Sequence, residues 1–421
     1  MRFVRVTELE EDFFAYEELE EIAAVREIIR AVRRHGDEAV KRYTSEFDGV
    51  ALEELNVEPS EVEEAYCEID EGVIAAIEHA ARNIRRFAER QLEQFEDFEY
   101  EVAPGVFARQ KITPIERIGV YVPGGRFPLV SSLLMCAVPA RVAGVKEVVV
   151  CSPPSHRRSV HPAILIAADV VGVDEIYRVG GAQAIAAMAY GTQTIRKVDK
   201  IVGPGNKYVV SAKREVWGVV GIDFLAGPTE IMIIADKTAD PKTIAADLLA
   251  QAEHDVEAIP ILVTTSLELA EEVQKEIELQ LRELVTRDTA GASIQRNGMV
   301  ILVNDMQEAI HVANEKAPEH LSLQVGRPQD HLAELRNYGS LFVGGYSAEA
   351  LGDYSGGINH TLPTNGCARY TAGLSVKDFI RLQTILEVTK EGLMVIGPTA
   401  KTLAEIEGLD GHAKSIAMRM A

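Results

Sequence analysis

Cysteine is scarce in this 421-residue chain: Cys67, Cys136, Cys151 and Cys367 stand far apart, with no C-x-x-C pair. That spacing argues against a disulfide framework or a zinc ribbon and fits a reducing cytoplasm. No apolar run reaches membrane-spanning length, and the opening MRFVRVTELEEDFF lacks the apolar core of a secretory signal. Basic charge is in deficit, with Lys plus Arg at 43 against Asp plus Glu at 65, a formal net charge of -22. Such a surface repels nucleic acid and anionic lipid, which sets both aside as partners. Three familiar signatures are also missing: there is no G-x-G-x-x-G, no Walker A sequence and no H-E-x-x-H.

What is present is enough apolar sequence, 47%, to build sizeable cores without disulfides, in a chain too long for one of them. Acidic residues concentrate at 8–21 and 53–71, as on solvated helix faces. Residues 1 to about 100 read as helical, with apolar positions three and four apart and Gly36 and Gly49 as stops. Beyond them, apolar strands such as KEVVVC and KIV alternate with helical runs such as HPAILIAADVVG, the pattern of parallel βαβ units. The alternation resumes after residues 221–229, so two α/β lobes are expected. It includes a long helix over 267–287 and another near 330–338, and a strand and a helix pair broken at Gly408 close the chain. Three glycine-rich turns, at 122–125, 179–181 and 202–206, fall in the first lobe. Each sets backbone N–H groups at a helix start, which suits a phosphorylated ligand as well as a tight turn.

Polar residues gather in four places. Gln251 and His254 end DLLAQAEHD and are expected on one helical face. Glu319 and His320 follow Pro318 at the entrance of an apolar strand, where a carboxylate and an imidazole suit general acid–base work. Asp353, Asn359 and His360 lie in GDYSGGINHTLPT, a segment too irregular for a long element, and His412 follows the break in EGLDGH. Histidines, an aspartate and a glutamine could together hold zinc or a similar divalent ion. The other histidines, His35, His79, His156, His161, His311 and His331, read as surface or packing residues. Cys136 and Cys151 sit in apolar contexts without a basic neighbour, so no cysteine is expected to be catalytic. A zinc hydrolase using Glu319 as base, and a zinc-stabilised binding protein without activity, both remain open on these residues alone.

The 221–255 stretch GIDFLAGPTEIMIIADKTADPKTIAADLLAQAEHD closely resembles the signature of the histidinol dehydrogenases. APEHL, GDYSGGINHTLPT, EGLDGH, VYVPGG, VGGAQAIAAMAYGT and KIVGPGNKYV resemble other segments of that family, in colinear order from about residue 117 onward. The resemblance implies a zinc-dependent, four-electron oxidation of L-histidinol through L-histidinaldehyde to L-histidine, with two NAD+ reduced. It implies one Zn2+ per subunit held by Gln251, His254, Asp353 and His412. Glu319 and His320 would be the catalytic acid–base pair, and Thr229 (often Ser in the family), His360 and Glu407 would touch substrate. NAD contacts would fall on Tyr121, Gln183 and Asn206. A cytoplasmic homodimer is implied, with Glu407 and His412 completing the neighbour's site. The expected fold is α/β: two Rossmann-like parallel-sheet lobes without the usual glycine fingerprint, a helical N-terminal segment and a small tail. Residues 1–20 are assigned to that segment, 21–120 plus 229–374 to the metal and substrate lobe, 121–228 to the NAD lobe and 375–421 to the tail.

Overall fold

The computed structural model describes residues 1–15, 22–124, 127–155 and 158–421; Gly125 of the first glycine turn, His156 and the 16–21 acidic stretch lie outside them. The chain opens with strand β1 (Arg2–Arg5), followed by helices α1 (Ala23–His35), α2 (Asp37–Phe47), α3 (Pro59–Glu68) and α4 (Glu71–Leu92). Strands β2 (Phe98–Ala103) and β3 (Val106–Pro114) precede the first alternating run. That run is β4 (Arg117–Tyr121), α5 (Val130–Val142), β5 (Glu147–Cys151), α6 (Pro162–Val171), β6 (Glu175–Tyr177), α7 (Gly181–Tyr190), β7 (Lys200–Val202), α8 (Lys207–Val216) and β8 (Gly221–Ile222). The second run is β9 (Glu230–Ala235), α9 (Pro241–Ala252), β10 (Ile259–Thr264), α10 (Leu267–Leu281), α11 (Arg287–Arg296), β11 (Met299–Leu302), α12 (Met306–Lys316), β12 (His320–Gln324), β13 (Ser340–Val343) and α13 (Glu349–Tyr354). The tail holds β14 (Ile380–Val388), α14 (Lys390–Ile406) and α15 (Asp410–Met420).

Among the described residues the strands form three sheets. One is parallel in the order β6-β5-β4-β7-β8, and a larger one is parallel in the order β1-β11-β10-β9-β12-β13. The third is a small antiparallel sheet, β14-β3-β2. Both parallel sheets are covered on two faces, and the strand period shows it. Val148 and Val150 enter one core while Val149 and Cys151 enter another. Ile231 and Ile233 likewise part from Met232 and Ile234. Alternate residues point to opposite faces, so a strand apolar throughout needs helices on both.

Five differences from the sequence expectations follow. Residues 2–5 are not helical: RFVR pairs in parallel with β11, from Arg2 opposite Met299 to Arg5 opposite Leu302. The N-terminal helices do not coat the 229–374 lobe to which they were assigned. Val25, Ile28, Ile29 and Val32 of α1 share a core with Ile185 and Met188 of α7, and Ile77, Ala81 and Ile84 of α4 share one with Leu133 and Ala137 of α5. Residues 117–121 belong to the five-stranded sheet as β4, which moves that boundary as well. The helix expected near 330–338 is only a 3-10 turn at Pro328–Asp330, because the Asn314 side chain accepts from the N–H groups of Arg336 and Asn337 and holds the chain off helical pairing. The 267–287 helix stops at Leu281, and a new one starts at Arg287.

Candidate active site

The reactive groups cluster at the amino ends of the central strands of the larger sheet. Helix α12 ends on Ala317, which takes a left-handed φ of 52°, and Pro318 then admits no continuation. An alanine held in that region is strained backbone, two and three residues before Glu319 and His320. The chain enters β12 at His320, opposite Ile231 of β9, so Glu319 lies beside Thr229 and Glu230. Oε2 of Glu319 accepts from the Thr229 hydroxyl at 2.6 Å and from the Glu230 N–H at 3.0 Å. Burial drives the Glu319 carboxyl well above the usual range, and these two bonds pull against it.

His320 is 4% exposed, and its Nδ1 lies 3.1 Å from the Glu230 carbonyl oxygen. A carbonyl only accepts, so Nδ1 carries the proton and the neutral ring presents its lone pair at Nε2. Nε2 has no hydrogen-bond partner; Glu349 Oε1 is 3.4 Å away and Asp353 Oδ1 4.0 Å. Burial lowers the His320 pKa, so the ring is neutral here.

Helix α9 is capped by Asp240 with Pro241 in its first turn, and it ends at Ala252. Gln251 is thus in the last turn, and His254 lies just past it, its N–H bonded to the Gln251 carbonyl at 3.3 Å. His254 therefore stands in the turn that follows the helix and not on the helical face expected to carry both residues. The Gln251 amide donates to Thr229 Oγ1, which donates in turn to Glu319. Its own Oε1 is buried without a partner. Asp353 in α13 sits with Oδ2 4.0 Å from His254 Nε2 and Oδ1 3.7 Å from His360 Nδ1. The His360 Nδ1 is also 2.9 Å from the Asp353 carbonyl oxygen, which fixes that ring. Burial pushes Asp353 up to about 7 and pulls His360 down to about 4.

Sequence reasoning missed Glu349. It is 2% exposed, its carboxyl shares a hydrogen bond with Asp353, burial pushes it up to about 8, and its Oε1 has no hydrogen-bond partner. Its signal was available: it stands four residues before Asp353, one helical turn away. Donor atoms of His320, Glu349 and Asp353 lie within 4.8 Å of one another, a grouping that shares only Asp353 with the expected ligand set. A divalent cation suits this place. The buried His320 ring, crowded buried carboxyls and an unpartnered amide oxygen leave lone pairs unanswered, and a cation would answer them, with the half-exposed His254 beside Asp353. His412 and Glu407 are not part of the cluster in this chain: both are exposed, and α15 packs against α14.

The residues expected to touch NAD meet at the carboxyl ends of the five-stranded sheet. Strand order reverses between β4 and β7, the place where open α/β sheets bind ligands. Tyr121 ends β4 and its hydroxyl accepts from the Gly181 N–H at 3.1 Å. Gln183 is buried in the first turn of α7 with Oε1 unpartnered, and Asn206 caps α8. Gly203 takes a φ of 117°, and a Cβ there would stand 2.2 Å from the Tyr121 carbonyl oxygen. Cys136 and Cys151 are fully buried, and burial pushes both thiols up to about 12, the opposite of activation. No described helix is long and apolar enough to cross a membrane.

The histidinol dehydrogenase family profile matches residues 15–420. The chain is 48% identical over 399 residues to a histidinol dehydrogenase of Methanothermobacter thermautotrophicus, covering 95% of this chain and 93% of that one. It is 48% identical over 403 residues to one of Streptococcus mutans, covering 96% and 93%. Among solved structures, a histidinol dehydrogenase from Elizabethkingia anophelis superposes with a TM-score of 0.94 at 36% identity, covering 100% of this chain and 98% of that one.

Proposed function

Because this chain belongs to the histidinol dehydrogenase family of NAD-dependent oxidoreductases, we propose that it carries out the four-electron oxidation of L-histidinol to L-histidine with zinc and two NAD+. The hydrolase and non-enzymatic readings fall with the family. One observation carries the finer reading. The buried acid–base pair Glu319–His320 and the donors Gln251, His254 and Asp353 converge on one small space, and Thr229 links the two sets by hydrogen bonds.

Gln251, His254 and Asp353 would hold zinc, which when bound would supply an anchor for the imidazole and amine of the substrate. NAD+, on the lobe bearing Tyr121, Gln183 and Asn206, would accept the hydride in each half-reaction. The chain's own residues handle the protons. His320 offers an unprotonated Nε2, held in orientation through Nδ1, to the alcohol of the first step. For the second step a water must add to the aldehyde carbon. Glu319, its carboxyl raised by burial above the usual carboxylate range, takes that water's proton. Thr229 and the Glu230 N–H keep its Oε2 fixed while it does so. His360, ordered against the Asp353 carbonyl, lines the substrate side.

The expected fourth metal ligand lies outside the cluster in this chain. We assign it to His412 of a second copy, with Glu407 touching substrate beside it. Phe98, Tyr100 and Val102 of β2, Leu382 and Leu386 of β14, and Ile406 of the α14–α15 tail are exposed, more apolar surface than a lone protomer favours. A cytoplasmic setting suits the four free cysteines.

The test is the NADH yield per L-histidinol on metal-stripped protein, with and without added zinc. Two NADH, only with zinc, is the expected result. A yield of one would remove the role given to Glu319, and none from a folded, zinc-loaded protein would remove the substrate.

A further inference from the structure

Lys213 and Asp223 are buried charged residues that the chemistry above does not use. Lys213, on the inner face of α8, is 3% exposed, and its Nζ forms an ion pair with Asp223 Oδ1. A buried ion pair is a poor stabiliser, because desolvation offsets most of the attraction and apolar side chains of like volume often serve as well. This pair does something that apolar side chains cannot. Lys213 Nζ donates to the Gly203 carbonyl at 3.1 Å, and Asp223 Oδ2 accepts from the Gly203 N–H at 2.8 Å. Both polar groups of one residue, just past the end of β7, are thus held from opposite sides. Asp223 is itself anchored: its Oδ1 accepts from the Phe224 N–H at 2.8 Å. Downstream, the connector is tied to the other lobe by the Gly227 N–H on Thr364 Oγ1 at 2.5 Å and by Thr229 on Glu319. The ion pair therefore fixes the 202–206 glycine turn against a connector that the substrate side holds still.

We infer that Lys213 and Asp223 are positioning residues for the nicotinamide cofactor, setting the Gly203 peptide and with it the turn that leads to Asn206. This rests on the reading that the 202–206 turn carries the cofactor. Removing the pair should loosen that turn and leave the substrate side in place, because the Gly227 and Thr229 bonds remain.

The experiment compares full-length, zinc-loaded wild type with Asp223→Asn, the doubly neutral Lys213→Met/Asp223→Asn, and Asn206→Ala. NADH dissociation constants come from fluorescence titration, KM is measured separately for NAD+ and L-histidinol, and near-ultraviolet circular dichroism reports folding. The expected result for the doubly neutral variant is a native spectrum, an unchanged KM for L-histidinol and NADH binding weaker by about tenfold or more, with Asp223→Asn in between. A folded double variant that binds NADH within about twofold of wild type overturns the inference. If the double variant does not fold, Asp223→Asn decides alone, and unchanged NADH binding in it overturns the inference. Asn206→Ala separates the two layers. If it weakens NADH binding and the pair variants do not, only the positioning role falls. If it has no effect, the cofactor reading of the turn falls, and the role of the pair falls with it.

Discussion

Replacing Thr229 by valine keeps the shape of the side chain and removes one hydroxyl that makes two buried contacts. The hydroxyl donates to Glu319 at 2.6 Å and accepts from the Gln251 amide. A hydrogen bond to a charged acceptor contributes about 1.5–3 kcal/mol, and here it also orients the group assigned to water activation. The expected loss in the aldehyde-oxidising step is therefore about tenfold to a hundredfold in kcat. Gln251 would keep its place in α9 but lose the partner of its amide, so zinc affinity should fall as well, by less. Alcohol oxidation depends on His320, whose ring is held by the Glu230 carbonyl and not by Thr229, and it should change little. The assay supplies L-histidinol and L-histidinaldehyde separately at saturating zinc and follows NADH. On L-histidinol the yield should fall from two toward one as aldehyde accumulates. A variant that slows both steps equally, or only the first, would refute the assignment of Glu319 to water activation.

Shared sites should show in complementation. His412→Ala and Gln251→Ala should each be nearly inactive, yet unfolded and refolded together they should recover about a quarter of wild-type activity, since half the random dimers carry one intact site; no recovery would place both ligands in one chain. Gly203→Ala should fail to fold or lose about 2–4 kcal/mol in denaturant titration, because its Cβ would stand 2.2 Å from the Tyr121 carbonyl oxygen at a φ of 117°; wild-type stability would contradict that geometry. Burial raises Asp48 from 3.8 to about 6, and its Oδ2 lacks a partner. Its folded pKa lies above its unfolded one, so its ionisation costs stability as pH rises from about 4 to 6, and the cost stays above that. Asp48→Asn should raise the melting temperature at pH 7 and converge with wild type below about pH 4; an equal gain at both pH values would show that charge is not the cause.

Much of the architecture was legible because parallel strands buried on both faces announce themselves: EIMIIA and RIGVY are apolar or nearly so, and both are buried throughout. Of the antiparallel sheet only the tail strand was legible; its pairing was not, since β14 exposes most of its residues and carries no inward-outward alternation. Nor was β1, whose four residues adjoin an acidic stretch and gain a partner only from β11. At the site, the pairing of Glu319 with Thr229 follows from strand register, which a single sequence does not specify. Glu349 escaped because a glutamate in a helical stretch reads as solvent-facing, and only the packing of α13 shows it is buried.

The first strand has a consequence for how the protein is made. Arg2 meets its neighbours at Gly298 and Met299, 297 residues along the chain in the latter case. On the ribosome, Arg2–Arg5 waits for a docking edge made 297 residues later, with Phe3, Val4 and Val6 lacking that partner meanwhile. The terminal amine is itself tied to Gln274 at 2.9 Å, so a fusion at this end would have to leave through an edge already occupied. Production with the added sequence at the carboxyl end instead would leave that edge free but burden the tail that a partner is proposed to receive. For this enzyme, neither end is a neutral place for a tag.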